Sequence, residues 1–248
     1  MQNYQLPINE LGELFNRTIP YVAKNKFKSL FLIIIFLVYF SFPGLQIPVL
    51  EYNSFRITSL MEQRAMENYM IYYPGQSWED IDNVKPALLK AIISMEDGKF
   101  FKHKGIDWVE LSRSMRANRR RGRSVRGAST ITMQLAKNLY LSTDKSVIRK
   151  AKELLITFRM EKELSKKAIL ENYINAVEWG EGVFGINKAA GVYFDKDPSE
   201  LSVIEASRLA AVVPSPLRYA PNKNTNYVLR RSSIIRSRLN DVLLDLDK

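Results

Sequence analysis

Ionisable side chains are concentrated between Glu96 and Asp107, directly after an apolar segment. Glu96 lies four residues after Ile92 and three after Ile93, so on a helix it extends the face that turns towards the core. Partial burial and a position at the helix C-terminus both disfavour a charged carboxylate. The pattern therefore predicts a raised pKa for Glu96, which suits a general base or acid that works near neutral pH.

The same stretch also has a structural interpretation. Glu96 and Asp97 could be solvated, or could form ion pairs with Lys99 and Lys102. The single histidine of the chain, His103, is by itself more typical of a packed or hydrogen-bonded residue than of a catalyst. Residue types and spacing leave both interpretations open.

A second candidate is a basic stretch between Leu111 and Thr143, which holds eight basic residues and no acidic residue. It favours an anionic partner. If the uncharged stretch at residues 29–50 anchors an exported domain in a membrane, phosphorylated lipid head groups or diphosphate substrates suit the basic stretch better than nucleic acid. A solvated basic loop over residues 119–126 is the alternative. The basic residues are Arg113, Arg116, Arg119, Arg120, Arg121, Arg123, Arg126 and Lys137.

Two helical patterns follow. Over residues 130–139 the polar residues share one side of a predicted helix, which could line a phosphate groove or simply face solvent. Further along, Glu153 follows Arg149 by four residues, which predicts an ion pair within a site or on the surface, where it would contribute about 0.3–0.5 kcal/mol. The polar residues of the first pattern are Thr130, Gln134, Lys137 and Asn138, opposite Ile131, Leu135 and Leu139.

Composition limits the chemistry. The 248 residues include 37 Lys and Arg against 26 Asp and Glu, which gives a net charge of +11. A hydrophobic content of 46 % with only 11 glycines and 10 prolines predicts a folded domain and excludes a disordered or fibrous chain. The absence of cysteine excludes disulfides, thiolate zinc sites and a cysteine nucleophile, and one histidine argues against a histidine-rich metal site. An acid or base is therefore expected to be a carboxylate or a lysine.

Residues 29–50 form an uncharged stretch of 22 residues whose first half is apolar throughout. As a helix it could span the hydrocarbon core of a membrane, although prolines and a glycine weaken its second half. We expect a retained transmembrane anchor; a cleaved signal peptide and a buried helix are the alternatives. Lysines before the stretch place residues 1–28 in the cytoplasm. These lysines are Lys24, Lys26 and Lys28.

The rest of the chain is expected to be mainly α, as a connecting segment over residues 51–79 and a domain over residues 80–248 on the outer side of the membrane. Residues 51–83 are interpreted as an irregular connection with short strands at 54–57 and 70–73. A tight glycine turn is expected later in the chain, over residues 180–185. A helix should start with Pro86 in its first turn. Further helices are expected at 129–141, 147–163, 166–177, 200–213 and 227–246.

Taken together and in order, these segments resemble the peptidoglycan glycosyltransferases, which polymerise lipid II alone or as the first domain of bifunctional penicillin-binding proteins. The similarity covers roughly residues 80–245, and the sequence Glu178-Trp179-Gly180 resembles that of the monofunctional branch. Met133 departs from the glutamine usual at its position. The motif E-D-x-x-F-x-x-H-x-G-x-D is matched by Glu96, Asp97, Phe100, His103, Gly105 and Asp107; G-x-S-T-I-T-Q-Q-L-x-K-N by Gly127, Ser129, Thr130, Ile131, Thr132, Gln134, Leu135, Lys137 and Asn138; R-K-x-x-E by Arg149, Lys150 and Glu153; and I-L-E-x-Y-[IL]-N by Ile169, Leu170, Glu171, Tyr173 and Asn175.

The resemblance implies a fold and a location. The fold would be a lysozyme-like helical head with a smaller membrane-facing lobe that carries the basic stretch 113–126. The two-lobed glycosyltransferase domain would follow a single N-terminal transmembrane helix. It would lie on the periplasmic side of the bacterial cytoplasmic membrane, where its lipid-linked substrates are.

The resemblance also implies a mechanism. The growing glycan on undecaprenyl diphosphate is the donor, and the 4-hydroxyl of the N-acetylglucosamine of lipid II attacks its anomeric carbon with inversion. Glu96 would be the general base, and Glu153 the second catalytic carboxylate beside the leaving diphosphate. The expected substrate-binding residues are Asp97, His103, Ser129, Thr130, Gln134, Lys137, Asn138, Lys145, Arg149 and Lys150.

A divalent cation, Mg²⁺ or Mn²⁺, is expected to be shared with the substrate diphosphate, and moenomycin is expected to inhibit. The implied partners are lipid II, the growing lipid-linked glycan and the cytoplasmic membrane, with other cell-wall synthesis proteins as further candidates and no nucleic acid. A lysozyme-like hydrolase is the nearest rival, since one glutamate on a helical fold serves it as well. A membrane-anchored scaffold without activity is the other.

Overall fold

The computed structural model describes residues 25–40, 43, 46–52, 57–67, 77–123, 127–144 and 146–247. The predicted strand at 70–73, residues 54–56 of the other predicted strand, Arg126 and Lys145 lie outside the described residues. Ile57 is described and is not in a strand. The chain divides into two compact units, Met1–Gly44 and Leu45–Lys248.

The described part of the first unit is one apolar helix, α1 (Lys26–Phe40), of 15 residues. It begins within the predicted cytoplasmic segment and ends at Phe40, inside the stretch 29–50 expected to be the anchor. Among the described residues, no helix combines the length and apolar character needed to cross a membrane. The anchor over 29–50 stays a prediction.

The second unit is mainly helical, as predicted. Its short elements are one helical turn, three 3₁₀ turns and a two-stranded antiparallel hairpin. In chain order the elements are α2 (Gln46–Val49), α3 (Ser59–Glu67), a 3₁₀ turn (Ile81–Asn83), α4 (Pro86–Glu96), a 3₁₀ turn (Phe100–Lys102), α5 (Trp108–Arg121), α6 (Ile131–Tyr140), α7 (Val147–Glu163), α8 (Lys166–Ala176), β1 (Glu178–Gly180), β2 (Val183–Phe184), α9 (Ile186–Phe194), α10 (Val203–Val212), α11 (Asn226–Arg238) and a 3₁₀ turn (Leu239–Asp241).

Side-chain caps fix where most of the longer helices begin. In each capped helix, the residue before the first turn accepts a hydrogen bond from the backbone N–H three positions on, which satisfies a donor that the helix itself leaves unpaired. At α10, Ser202 and Glu205 form a reciprocal capping box. The caps are Asp107 for α5, Thr130 for α6, Ser146 for α7, Ser165 for α8, Ser202 for α10 and Thr225 for α11.

Helix packing brings the end of α4 next to α6. Helix α4 buries the apolar face predicted from its sequence, including Leu88, Ile92 and Ile93, and packs against α10 and α11. Helix α6 packs against α7 and α8. Glu96, the last residue of α4, therefore lies where these two groups of helices meet.

The 97–107 segment between α4 and α5 is tightly fitted against α7. Gly105 has a φ of +88°, a conformation that side chains other than glycine rarely adopt. A Cβ atom there would lie 2.7 Å from Cγ2 of Thr157, which is fully buried in α7. The backbone at this position can therefore approach α7 only because it carries no side chain.

Several predicted boundaries are confirmed. Helix α7 has the predicted bounds, and α6 and α8 agree within two residues. The predicted turn over 180–185 forms the tip and second strand of a hairpin, in which Glu178 pairs with Phe184. Pro86 occupies the first turn of α4, as expected.

Other predictions about secondary structure are wrong. The connection over 51–83 is not irregular throughout, since it contains α3. Residues 119–121 are not a loop, because α5 continues to Arg121 and ends at Gly122, whose φ is +62°. Helix α10 begins after the Ser202 cap and not at residue 200. The last helix ends at Arg238 and not at 246. The prediction was too long because the apolar residues after Arg238 continue the spacing expected of a helix.

Replacing Gly105 should destabilise the fold. Gly105→Ala is expected to lower the free energy of unfolding by about 3 kcal/mol, because it combines a left-handed backbone strain with overpacking against Thr157. Gly122→Ala adds the strain alone and should cost about 1 kcal/mol. Gly98→Ala meets no atom within 4 Å and is the matched control. Denaturant unfolding of the three variants checks this order, and equal effects for all three would contradict it.

Candidate active site

Glu96 has one carboxylate oxygen fixed and one free. Its Oε2 accepts a hydrogen bond of 2.7 Å from Nε2 of Gln134 on α6. Oε1 of Gln134 in turn accepts a 3.2 Å hydrogen bond from the hydroxyl of Tyr173, which is fully buried on α8. Oε1 of Glu96 is buried and has no hydrogen-bond partner among the described residues. A free oxygen on an oriented carboxylate is what a general base needs.

The Tyr173 hydroxyl determines which end of the Gln134 side-chain amide, the oxygen or the nitrogen, faces Glu96. Burial raises the pKa of Tyr173 well above its ordinary value, with smaller contributions from the charges of Glu96 and Asp97. Tyr173 therefore stays protonated and donates to the amide oxygen of Gln134, which leaves the amide nitrogen to face Glu96.

Burial raises the pKa of Glu96, as the sequence predicted. The hydrogen bond from Gln134 opposes this and lowers the pKa, and so do the positive charges of Arg231 and, more weakly, Lys137. The neighbouring Asp97 adds to the rise. The carboxylate is thus kept basic by its surroundings, while nearby cations keep the ionised form accessible.

The ion pairs offered as a structural alternative do not form among the described residues. Nζ of Lys99 lies 3.6 Å from Oδ2 of Asp107. Asp97 pairs with Nε2 of His103, at 2.8 Å and 3.0 Å from its two oxygens. Glu96 is therefore not neutralised by the lysines that follow it in sequence.

Asp97 and His103 hold the segment that carries Glu96. Asp97 is buried, and its Oδ2 also accepts a 3.1 Å hydrogen bond from the backbone N–H of Ile131, the first residue of α6. Because a carboxylate only accepts, Nε2 of His103 carries the proton between them. A second link joins the same places, since the hydroxyl of Thr130 donates to the carbonyl of Gly105 at 2.6 Å.

Glu153 is buried between two cations. NH1 of Arg149 donates to its Oε2 at 2.7 Å, and Nζ of Lys150 donates to its Oε1. The side chain of Glu153 is only 3 % exposed. The interpretation as an ordinary surface ion pair is therefore wrong. Nζ of Lys150 also lies 3.5 Å from Oγ of Ser129, which connects the cluster to the start of α6.

Lys137 interacts electrostatically with both carboxylates. Burial lowers its pKa, and the charges of Glu153 and Glu96 both act on it in the opposite direction. Arg149 and Lys150 also lower its pKa, as expected for three cations gathered in one place. Lys137 makes no ion pair with another described residue. The cluster of Lys137, Arg149 and Lys150 can therefore receive an anion.

A cleft of about 800 Å³ opens beside Glu96. Its wall combines the end of α4, the start of α5, the residues that lead into α6 and two arginines of α11. The predicted site residues in this wall are Glu96, Asp97, Ser129, Thr130 and Gln134.

Two predicted site residues are built into the framework. Thr130 caps α6 and bonds to Gly105, so its hydroxyl is used within the protein. Asn138 is buried on α6 and is 5 % exposed. A substrate contact for either stays a prediction, as it does for Lys145.

Sequence reasoning missed Arg231 and Arg238 of α11, which line the cleft. They are seven residues apart, a spacing that places both on one face of a helix. That spacing is the signal that could have identified them. Their position opposite Glu96 depends on the packing of α11 against α4, which the local sequence does not show.

The raised pKa of Glu96 predicts a pH-dependent cost to stability. Below the ordinary pKa of glutamate both folded and unfolded chains bind the proton, and as pH rises through the raised pKa the folded state loses about 1.4 kcal/mol for each unit of difference. The stability of Glu96→Gln relative to wild type should therefore be greater at pH 8 than at pH 4. Denaturant unfolding at the two pH values measures this. Glu62→Gln, at an exposed position on α3, is the control, and a gain for Glu96→Gln that did not change with pH would refute the assignment.

Comparison with known proteins identifies the family of this chain. Residues 63–240 match the model of the family described as Transglycosylase. Proteins named biosynthetic peptidoglycan transglycosylase are similar over most of their length. The relative from Laribacter hongkongensis is 43 % identical over 67 % of this chain and 73 % of its own, and that from Janthinobacterium sp. is 41 % identical over 67 % and 72 %. The relative from Aromatoleum aromaticum is 49 % identical over 57 % and 62 %. The chain belongs to the transglycosylase family and is a glycosyltransferase enzyme.

Proposed function

We propose that this enzyme polymerises the glycan strands of peptidoglycan, with lipid II as acceptor and the growing glycan on undecaprenyl diphosphate as donor. The observation that carries the proposal is the juxtaposition of Glu96, with its free oxygen and raised pKa, and a cation cluster that can receive a diphosphate. The names of the relatives support peptidoglycan as the product. A hydrolase that cuts finished glycan has no need of the cation cluster.

Glu96 is the general base. Its Oε1 takes the proton from the 4-hydroxyl of the N-acetylglucosamine of lipid II as that oxygen attacks the anomeric carbon of the donor. A new glycosidic C–O bond forms with inversion to a β-1,4 linkage, and the bond from the anomeric carbon to the diphosphate oxygen breaks. The hydrogen bond from Gln134 to Oε2 fixes the orientation of the carboxylate and leaves Oε1 without a partner among the described residues.

The cation cluster stabilises the leaving group. Negative charge develops on the diphosphate as its bond to the sugar breaks, and positioned cations lower the energy of that transition state. Lys137 interacts electrostatically with both carboxylates and with Arg149 and Lys150. Ser129 supplies a hydroxyl beside Lys150. The family resemblance implies that Lys145 also binds the diphosphate.

Glu153 positions these cations and is not itself a base. Both of its oxygens already accept charge-assisted hydrogen bonds, one from Arg149 and one from Lys150. Its role is to orient two long side chains so that their remaining donors reach the diphosphate.

A divalent cation would depend on the substrate for most of its ligands. Among the described residues there is no group of three or more histidine, cysteine, aspartate or glutamate side chains that could hold a metal ion. Glu153 is the carboxylate nearest to the cations, and it is already paired twice. We propose that Mg²⁺ or Mn²⁺ would bind together with the diphosphate and would neutralise part of its charge.

Helix α5 supports an association with the outer face of the cytoplasmic membrane. Trp108, Val109 and Met115 are more than half exposed on it. Its arginines are also exposed and suit anionic lipid head groups. A membrane position, with residues 29–50 as anchor and residues 1–28 in the cytoplasm, would bring the site to substrates that carry polyprenyl tails. The exposed arginines of α5 are Arg113, Arg116, Arg119, Arg120 and Arg121.

Polymerisation of purified lipid II by the detergent-solubilised protein tests the proposal. Wild type should form glycan strands and be inhibited by moenomycin. Glu96→Gln should lower the rate about 10²–10⁴-fold, because it removes the base but keeps the acceptor for Gln134. Glu153→Gln should also lower it, with weaker binding of diphosphate, because one oxygen no longer holds its cation. Glu62→Gln, at an exposed position, should leave the rate unchanged.

Two results would overturn the proposal. Cleavage of finished glycan without polymerisation of lipid II would identify a hydrolase. Binding of lipid II with no turnover of either substrate would identify a scaffold. Product analysis by gel electrophoresis or mass spectrometry of the same reactions distinguishes the three outcomes.

A further inference from the structure

The guanidinium of Arg231 is held at the Glu96 end of the cleft by contacts outside the motifs of the site. NH1 of Arg231 donates to the hydroxyl of Tyr227 at 2.9 Å, one helical turn earlier on α11. NH2 lies 3.4 Å from Sδ of Met95, the residue before Glu96 on α4. Arg231, Met95 and Glu96 all line the same cleft. The arginine thus connects α11 to the end of the helix that carries the base.

Tyr227 is itself held by a stack. Its ring lies against the ring of Tyr219, with centroids 3.8 Å apart and planes 5° from parallel. Cζ of Arg231 is 5.1 Å from the centroid of Tyr227, and Cζ of Arg218 is 5.5 Å from that of Tyr219. Two aromatic rings therefore lie between two cations, an arrangement that aromatic faces favour.

On the basis of the proposed function, we propose that Tyr227 and Tyr219 are positioning residues that hold the Arg231 guanidinium beside Glu96 during catalysis. Neither tyrosine lines the 800 Å³ cleft. Tyr227 lines an adjoining cavity of about 600 Å³, which shares Met95 and Arg231 with the cleft. In this proposal both tyrosines act through the arginine. Both rings are half-buried at the surface, where core packing alone gives little reason for an aromatic pair.

The position of Arg231 matters because of what surrounds Glu96. The groups that act on it are Asp97 beside it, Gln134 and Lys137 on α6, Tyr173 on α8 and Arg231 on α11. Among the charged groups that lower the pKa of Glu96, Arg231 contributes more than Lys137. A free arginine side chain would move among many rotamers, and its average electrostatic effect on Glu96 would be smaller. Loosening it should therefore raise the pKa of Glu96.

The test is the pH dependence of kcat/KM for polymerisation of lipid II, whose acid limb reports ionisation of the base in the free enzyme. Tyr227→Leu removes both the ring and the hydroxyl, and should move the acid limb to higher pH by about half a unit. Arg231→Gln removes the charge and should move it at least as far. Tyr227→Phe keeps the stack and should move it less. Tyr52→Leu, at a position 91 % exposed, is the matched control and should not move it.

A double variant separates positioning from a general structural effect. If Tyr227 acts through Arg231, Arg231→Gln combined with Tyr227→Leu should show no further shift beyond Arg231→Gln alone. Tyr219→Leu gives a second route to the same loosening if Tyr227→Leu folds poorly. An unchanged acid limb in folded Tyr227→Leu and Tyr219→Leu, or additive shifts in the double variant, would overturn this inference and leave the proposed function intact. A wild type that does not polymerise lipid II would overturn both.

Discussion

The buried carboxylate of Asp97 joins the parts of the site. It accepts from His103 within its own segment and from the first backbone N–H of α6, so the end of α4 is tied to the start of α6. A negative charge at a helix N-terminus is favourable in itself, and here it also sets a distance. Because α6 carries Gln134 and Lys137, this link, together with the one from Thr130 to Gly105, helps to place these side chains near Glu96. Residue 105 must be glycine for the same segment to fit against α7.

Glu96 and Glu153, the two carboxylates of the proposed mechanism, have different roles because their surroundings differ. Glu96 has one neutral hydrogen bond, one oxygen without a partner among the described residues and no direct ion pair, so burial dominates and its pKa rises. Glu153 is buried as well, but two cations occupy both of its oxygens. The first arrangement favours taking up a proton, and the second orients the two cations that bind it. Lys137 is subject to the fields of both carboxylates. Acid–base chemistry and charge stabilisation are thus separated along one site.

The sequence predicted what depends on local pattern. The bounds of α7 follow from a serine cap and a clear apolar period, and the raised pKa of Glu96 follows from its place on the buried face of α4. Helix α5 was missed because it is mostly polar and basic and has Ser114 as its one buried residue, so it has few apolar residues to mark a face that packs against the core. The cap at Ser202 was not recognised, which placed the start of α10 too early. Arg231 was missed because its role comes from contacts between α11 and α4, which are far apart in sequence.

The central claim is that one carboxylate oxygen of Glu96 takes the acceptor proton while the cation cluster holds the diphosphate. A crystal structure of Glu96→Gln with a short-chain lipid II analogue tests it most directly, because this variant should bind without turning over. The account predicts the 4-hydroxyl of the acceptor sugar about 3 Å from the side chain at position 96 in acceptor complexes. Donor complexes should place diphosphate oxygens within ion-pair distance of Lys137, Arg149 or Lys150. An acceptor hydroxyl bound away from position 96, or a donor diphosphate bound away from all three cations, would contradict it.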